Sequence, residues 1–243
     1  MKLKIRGDII RDEDKWIYEW FGIDAACPKD AEKAIEACAD GEALDVEISS
    51  GGGDIHAGSE IYTALRTYKK GPVNIVVTGL AASAASVIAM AGHCEMSPTA
   101  LMMIHNVSTR TAGDYREMEH TAEVLRTANE SISAAYERKT GMERQALLDL
   151  MDRETWITAE RAVELGFADG ILGDEAGSEP LAAASGLTIS PETMERLRGI
   201  LENRDHPAEN QTDNGSGAHL PSANLRRAEA DYKFMMLKGA QRR

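Results

Sequence analysis

VNIVVTGLAASAASVIAMAG, residues 73–92, decides how this chain is read. Val73, Ile75, Val76 and Val77 form a short β-branched run of the kind that makes a buried strand. Thr78 and Gly79 are expected to close it, and small helix-compatible residues take over from Ala81, so the pattern predicts a strand, a tight turn and a helix. Ser83 stands at the head of that helix, where unpaired backbone N–H groups and the positive end of the macrodipole favour a developing oxyanion. The alanines around it leave no bulk over the hydroxyl. Small residues are equally what close helix packing demands, so Ala81 to Ser86 taken alone read either way.

Upstream, Lys2 to Ile10 alternates as a strand, and Trp16, Tyr18, Trp20 and Phe21 follow as an aromatic cluster. The cluster is expected to pack into the core; a substrate groove or a subunit contact is the other reading. Pro28 suits the first turn of a helix running through Cys38, with Ala31, Ile35 and Cys38 on one face. Leu44, Val46 and Ile48 alternate as a strand that runs into SSGGGDIHAG, and Ile61, Leu65 and Tyr68 then mark a helix. Strand and helix thus alternate three times, which predicts an α/β fold with a mostly parallel sheet and crossover helices. The run Gly51 to Gly53 reads as a flexible turn or a phosphate cradle, but no GKS or GKT follows and no GxGxxG is present. Three glycines also let backbone N–H groups approach a ligand, as an oxyanion hole or a substrate-binding edge requires.

Downstream, Leu101, Met103 and His105 alternate along TALMMIHNVS, which places a histidine at the end of an apolar strand. Such a histidine can be purely structural. Asp114 and Glu117 form a capping-box pair for a long helix to about Lys139, with Met118, Ala122, Leu125, Ile132 and Tyr136 as its apolar stripe and a charged opposite face. That helix is expected to project or to pack on another subunit. A shorter helix over 143–151 follows, then one capped by Thr158 and stopped by Gly166 before a last strand. The expected organisation is a body over 1–173, an acidic loop and helix over 174–202, and a polar linker with a basic amphipathic tail over 203–243. Leu225, Tyr232, Met235 and Met236 of that tail either dock on a partner or belong to a frayed end.

A hydrophobic content of 43% is ample for a core, and the net charge of −13 argues against a nucleic-acid-binding surface while mildly favouring cationic partners. No apolar run reaches the ~18 to 20 residues that span a bilayer. MKLKIRGDII lacks the apolar core of a signal peptide, so the cytoplasm is the expected compartment. Cys27, Cys38 and Cys94 are odd in number and without metal-ligand spacing; no metal or cofactor is expected.

A serine at a strand-to-helix turn, a histidine at a strand end and an acid ahead of TWITAERAVELGFAD carry more together than apart, because a serine hydroxyl needs an imidazole to take its proton and the imidazole needs an acid to orient it. SSGGGDIHAG, GLAASAASVIAMAG, ALMMIHN and ETWITAERAVELGFADGI, in this order, resemble the ClpP family of serine peptidases over about Lys2 to Leu172. The resemblance implies a ClpP/crotonase-type fold in which the long helix is the family's handle helix. The abbreviated body with its extra tail is most similar to the phage and prophage branch, the head maturation proteases. It further implies Ser83 as nucleophile, His105 as general base, and the N–H groups of Gly53 and Ala84 as the oxyanion hole. Glu154 stands where the family has an aspartate, with Asp152 as the alternative acid, and Gly51 stands where the family has a proline. The implied partners are a protein or peptide substrate, such as a capsid or scaffold protein, further copies of the chain in a ring, and an unfoldase. The alternatives are a housekeeping ATP-dependent proteolytic subunit, a crotonase-type acyl-CoA enzyme and a catalytically silent assembly protein. Ser86 is a rival nucleophile, and Ser-Lys chemistry through Lys69 or Lys70 has no evident route to Ser83.

Overall fold

Val46, Ile48, Ile75 and Val77, each apolar and each on an alternate position, pair Val46 with Ile75 and Ile48 with Val77 and are buried on one face of two neighbouring parallel strands. These belong to a computed structural model that describes residues 1–173; the readings of 174–202 and 203–243 lie outside the described residues. The elements are β1 (Lys2–Ile9), α1 (Lys15–Phe21), β2 (Ala25–Ala26), α2 (Pro28–Ala37), β3 (Leu44–Gly53), α3 (Ile55–Arg66), β4 (Val73–Ala82) and α4 (Ala84–Ala89). They continue as β5 (His93–Met96), β6 (Leu101–Ile104), α5 (Tyr115–Thr140), α6 (Arg144–Asp152), β7 (Thr155–Thr158), α7 (Ala159–Glu164) and β8 (Gly170–Ile171). One eight-stranded sheet runs in the order β2-β1-β3-β4-β5-β8. Every pairing along it is parallel, as the alternation of strand and helix predicts.

β4 is where the sheet forks, and this fork builds the site. Its first half, Asn74 to Val77, pairs with β5, and its second half, Leu80 to Ala82, pairs with β6, which carries β7 antiparallel on its far side. The sequence placed the turn at Thr78 and Gly79; the strand instead continues to Ala82. The register shifts between the pairs Ile48–Val77 and Ser50–Ala81, where Thr78, Gly79 and Leu80 of β4 lie opposite Ser49 alone, and Thr78 Oγ1 donates to the Ile48 carbonyl across this bulge. All six residues of α4 are buried. Its alanines therefore serve packing as well as access, and Gly58 of α3 is needed there because a Cβ on it would meet Ala84 Cβ at 2.9 Å.

The aromatic cluster is not core. α1 contains no buried residue, and Trp16 and Trp20 are 66% and 54% exposed. Its seven residues form an excursion between β1 and the edge strand β2, tied down through its polar groups: Lys15 Nζ donates to the Ala25 carbonyl and to Asp30, and the Tyr18 hydroxyl to Asp8. The long helix forms as expected. Asp114 accepts from the N–H groups of Arg116 and Glu117 while Glu117 accepts from the N–H of Asp114, and Gly141 ends the helix in the left-handed region. Only Ser133, Ala135 and Tyr136 of it are buried, whereas Met118 and Val124 of its apolar stripe and flank are exposed. Cys27, Cys38 and Cys94 are free and buried, and burial pushes the Cys27 and Cys94 thiols up to about 12, which leaves them inert. No helix among the described residues is long and apolar enough to cross a membrane.

Candidate active site

Ser83 joins β4 to α4 with φ 55° and ψ −125°, a backbone conformation that costs a non-glycine residue ~1–3 kcal/mol and persists only where its surroundings impose it. They do so from three sides. The Ser83 N–H donates to the Met103 carbonyl of β6 at 2.9 Å, and the Ser86 hydroxyl and N–H both donate back to the Ser83 carbonyl. Gly52 of β3 lies directly against the turn: a Cβ there would stand 2.7 Å from both the Ala82 oxygen and Ser83 Cβ, and 3.1 Å from the Ala84 nitrogen. With φ 96° as well, position 52 admits only glycine. The sequence reading singled out Gly53 from this run and missed Gly52, since adjacent glycines carry no signal of which one touches the turn.

The same register delivers the histidine. Ala82 pairs with Met103, so β6 ends beside the turn and His105 emerges next to Ser83. Nε2 of His105 lies 2.8 Å from Ser83 Oγ. In the tautomer protonated at Nδ1, the hydroxyl donates to Nε2, as deprotonation by the ring requires. Both residues open into a cavity of about 210 Å³ that Gly53 and Asp54 also line, with Val87, Ile132 and Tyr136 as an apolar wall.

Ser86 is fully buried and outside this chemistry. Its Oγ is 2.8 Å from the Tyr136 hydroxyl of α5 as well as 2.6 Å from the Ser83 carbonyl, so it braces the turn from behind. Burial raises the Tyr136 pKa above the ordinary phenol value, which keeps the group protonated in this relay. Lys70 donates to the carbonyls of Ile35, Glu36 and Cys38 at the end of α2, far from any role beside Ser83.

Neither candidate acid is hydrogen-bonded to the histidine. β7 pairs Thr155 with Ile104 in antiparallel register, so one step further Glu154 falls opposite His105, where cross-strand neighbours share a face. Its carboxylate, however, accepts from the Trp156 indole N–H at 3.4 Å, and its backbone has φ 48°. Asp152 accepts from Asn106 Nδ2 at 2.7 Å. No carboxylate oxygen of a described residue comes within 4.0 Å of the His105 ring nitrogens. The structure thus brings Ser83, His105 and Gly53 to one cavity, with Ala84 following Ser83 in the chain, and leaves Glu154 and Asp152 engaged elsewhere. Asn106 and Asn129 were not legible in the sequence: Asn106 holds Asp152, and Asn129 of α5 accepts from the Val107 N–H, fixing the segment just after His105 to the long helix.

A serine on a strained strand-to-helix turn, in contact with a histidine at the edge of a parallel α/β sheet, is the arrangement of a serine hydrolase. The chain belongs to the Clp protease family, whose model matches residues 33–175. It is 33% identical to ATP-dependent Clp protease proteolytic subunit 1 of Chlamydia muridarum (strain MoPn / Nigg) over 144 residues, 57% of this chain and 74% of that protein. The same subunit of Chlamydia abortus (strain DSM 27085 / S26/3) is 32% identical over equal shares. The ATP-dependent Clp protease proteolytic subunit of Deinococcus radiodurans is 29% identical over 132 residues, 53% of this chain and 64% of that protein.

Proposed function

We propose that this chain is a serine endopeptidase in which Ser83 attacks the scissile carbonyl and His105 takes its proton, returning it to the leaving amine. The observation that carries the reading is the 2.8 Å contact between Ser83 Oγ and His105 Nε2 on a strained turn that opens into a cavity. The tetrahedral oxyanion is received by the N–H groups of Gly53 and Ala84; the latter begins α4, where backbone donors have no intrahelical acceptor. Glu154, cross-strand from His105, is the acid that orients the imidazole after its side chain leaves Trp156, with Asp152 as the alternative. A crotonase-type reaction on acyl-CoA would have no use for the serine-histidine contact.

The working form is an assembly of several copies in which the uncovered stripe of α5 serves as the handle between subunits. Two settings divide the reading. Maturation of a phage head, with a capsid or scaffold protein as substrate, is the setting suggested by an abbreviated body followed by an extra C-terminal stretch of sequence. An ATP-dependent proteolytic subunit served by an unfoldase is favoured by the names of the similar chlamydial and deinococcal proteins. Incubating the purified chain with unfolded casein, and with capsid and scaffold proteins, tests both: cleavage abolished by Ser83→Ala supports the peptidase. Folded capsid protein cut without ATP selects head maturation. A chain that cuts none of them contradicts the proposal.

A further inference from the structure

We propose that Asp54 forms a subsite for a lysine or arginine side chain, so that the preferred substrate carries a basic residue next to an apolar one at the cut. This rests on reading Ser83 and His105 as the hydrolytic pair. Asp54 follows Gly53 at the end of β3 and is the one carboxylate among the residues that line the cavity holding Ser83 and His105. Its two oxygens have different tasks. Oδ1 accepts from the Ala57 N–H at 2.9 Å and caps α3, which fixes the position of the carboxylate. Among the described residues Oδ2 meets only the Arg11 guanidinium, at 3.5 Å, and the side chain is 28% exposed, so a residue that lines the cavity carries a charged acceptor with capacity to spare.

Arg11 is a weak competitor for that oxygen. Its side chain is 61% exposed and its Nη1 lies closer to Glu13, at 3.0 Å, than its Nε does to Asp54. An ion pair open to water holds its partners loosely, whereas a substrate cation that enters the cavity with its peptide sheds water and gains a charge-assisted bond to a carboxylate already held in place. The remaining wall, Val87, Ile132 and Tyr136, is apolar and suits an apolar neighbour in the substrate. The net charge of −13 also draws basic segments towards the protein.

The test compares quenched peptides that differ at one position, Leu-Lys, Leu-Gln or Leu-Glu, at low salt. The Lys peptide is expected to exceed the Gln peptide about tenfold in kcat/KM, with the Glu peptide below both. Asparagine caps helices as well as aspartate does, so Asp54→Asn keeps the fold while the Lys-to-Gln ratio falls to about 1. Arg11→Gln removes the competitor and raises the ratio. Binding of the same peptides to the Ser83→Ala protein, followed by anisotropy, gives the preference without the chemistry. A Lys preference in binding without hydrolysis by the unmodified chain sinks the peptidase reading and keeps the subsite. Hydrolysis with a ratio that Asp54→Asn leaves unchanged overturns the subsite and keeps the peptidase.

Discussion

The Tyr136 hydroxyl lies 2.8 Å from Ser86 Oγ, and through Ser86 the long helix α5 is bonded to the carbonyl of Ser83. The two ends of this relay are unequal. Tyr136→Phe leaves Ser86 with its bond to the Ser83 carbonyl and should cost about 1 kcal/mol; Ser86→Ala strands a fully buried phenol and should cost about 1–3 kcal/mol. Thermal melts should therefore rank Ser86→Ala below Tyr136→Phe, with active-site labelling retained in both. Loss of labelling in Ser86→Ala, with a normal melt, would make Ser86 the nucleophile.

The acid is set by the β6 and β7 register. If Glu154 swings from Trp156 to His105 during turnover, Glu154→Gln should lower kcat by up to roughly 10⁴ while Asp152→Asn costs little. Asn106→Ala should likewise cost little activity, since it removes the partner of Asp152 and leaves Glu154 in place. The reverse ranking in a peptide assay would assign the acid to Asp152.

The apolar stripe of α5 gives the assembly its own test. Val124 is exposed and Leu125 half-buried in the single chain, so light scattering should return a mass several times that of one chain, and Val124→Lys with Leu125→Lys should dissociate it. A monomer at micromolar concentration for the unmodified protein contradicts the handle role.

Two carboxylates make stability fall in acid. Burial opposes ionisation of Asp169, but the Cys94 N–H and the Lys139 ammonium outweigh it and hold its carboxyl below the ordinary range. At Asp30 burial is likewise outweighed, by Lys15 and the Cys27 N–H. A carboxyl depressed in the folded state stabilises it above the unfolded pKa, about 4, and that contribution is lost as pH falls through the lower folded value. Asp30→Asn and Asp169→Asn should each destabilise the protein at pH 7 by about 1 kcal/mol or less, because both groups are partly exposed and screened. The difference from the unmodified chain should shrink in urea titrations as pH falls below the unfolded carboxylate pKa of about 4.

The parallel sheet, the serine turn, the histidine strand and the capped long helix were all legible, because each rests on local periodicity or on a cap. What failed was information held by neighbours. Thr78 and Gly79 read as a turn because nothing local shows that they form a bulge against β3, after which β4 resumes its pairing at Ala81. Trp16 and Trp20 read as core because aromatic residues bury well, but a seven-residue helix on an excursion to the sheet edge has nothing over that face among the described residues. The contacts of Gly52 with the Ser83 turn and of Asn106 with Asp152 join distant segments, 30 and more residues apart, and leave no periodic trace.

The central claim is that Ser83, activated by His105, is the nucleophile. A fluorophosphonate probe incubated with the purified chain, with the modified residue located by peptide mass spectrometry, tests it most directly. The account predicts a single adduct on Ser83 that disappears in Ser83→Ala and forms much more slowly in His105→Ala. Stoichiometric labelling at another residue, or no labelling of a folded and assembled chain, would contradict it.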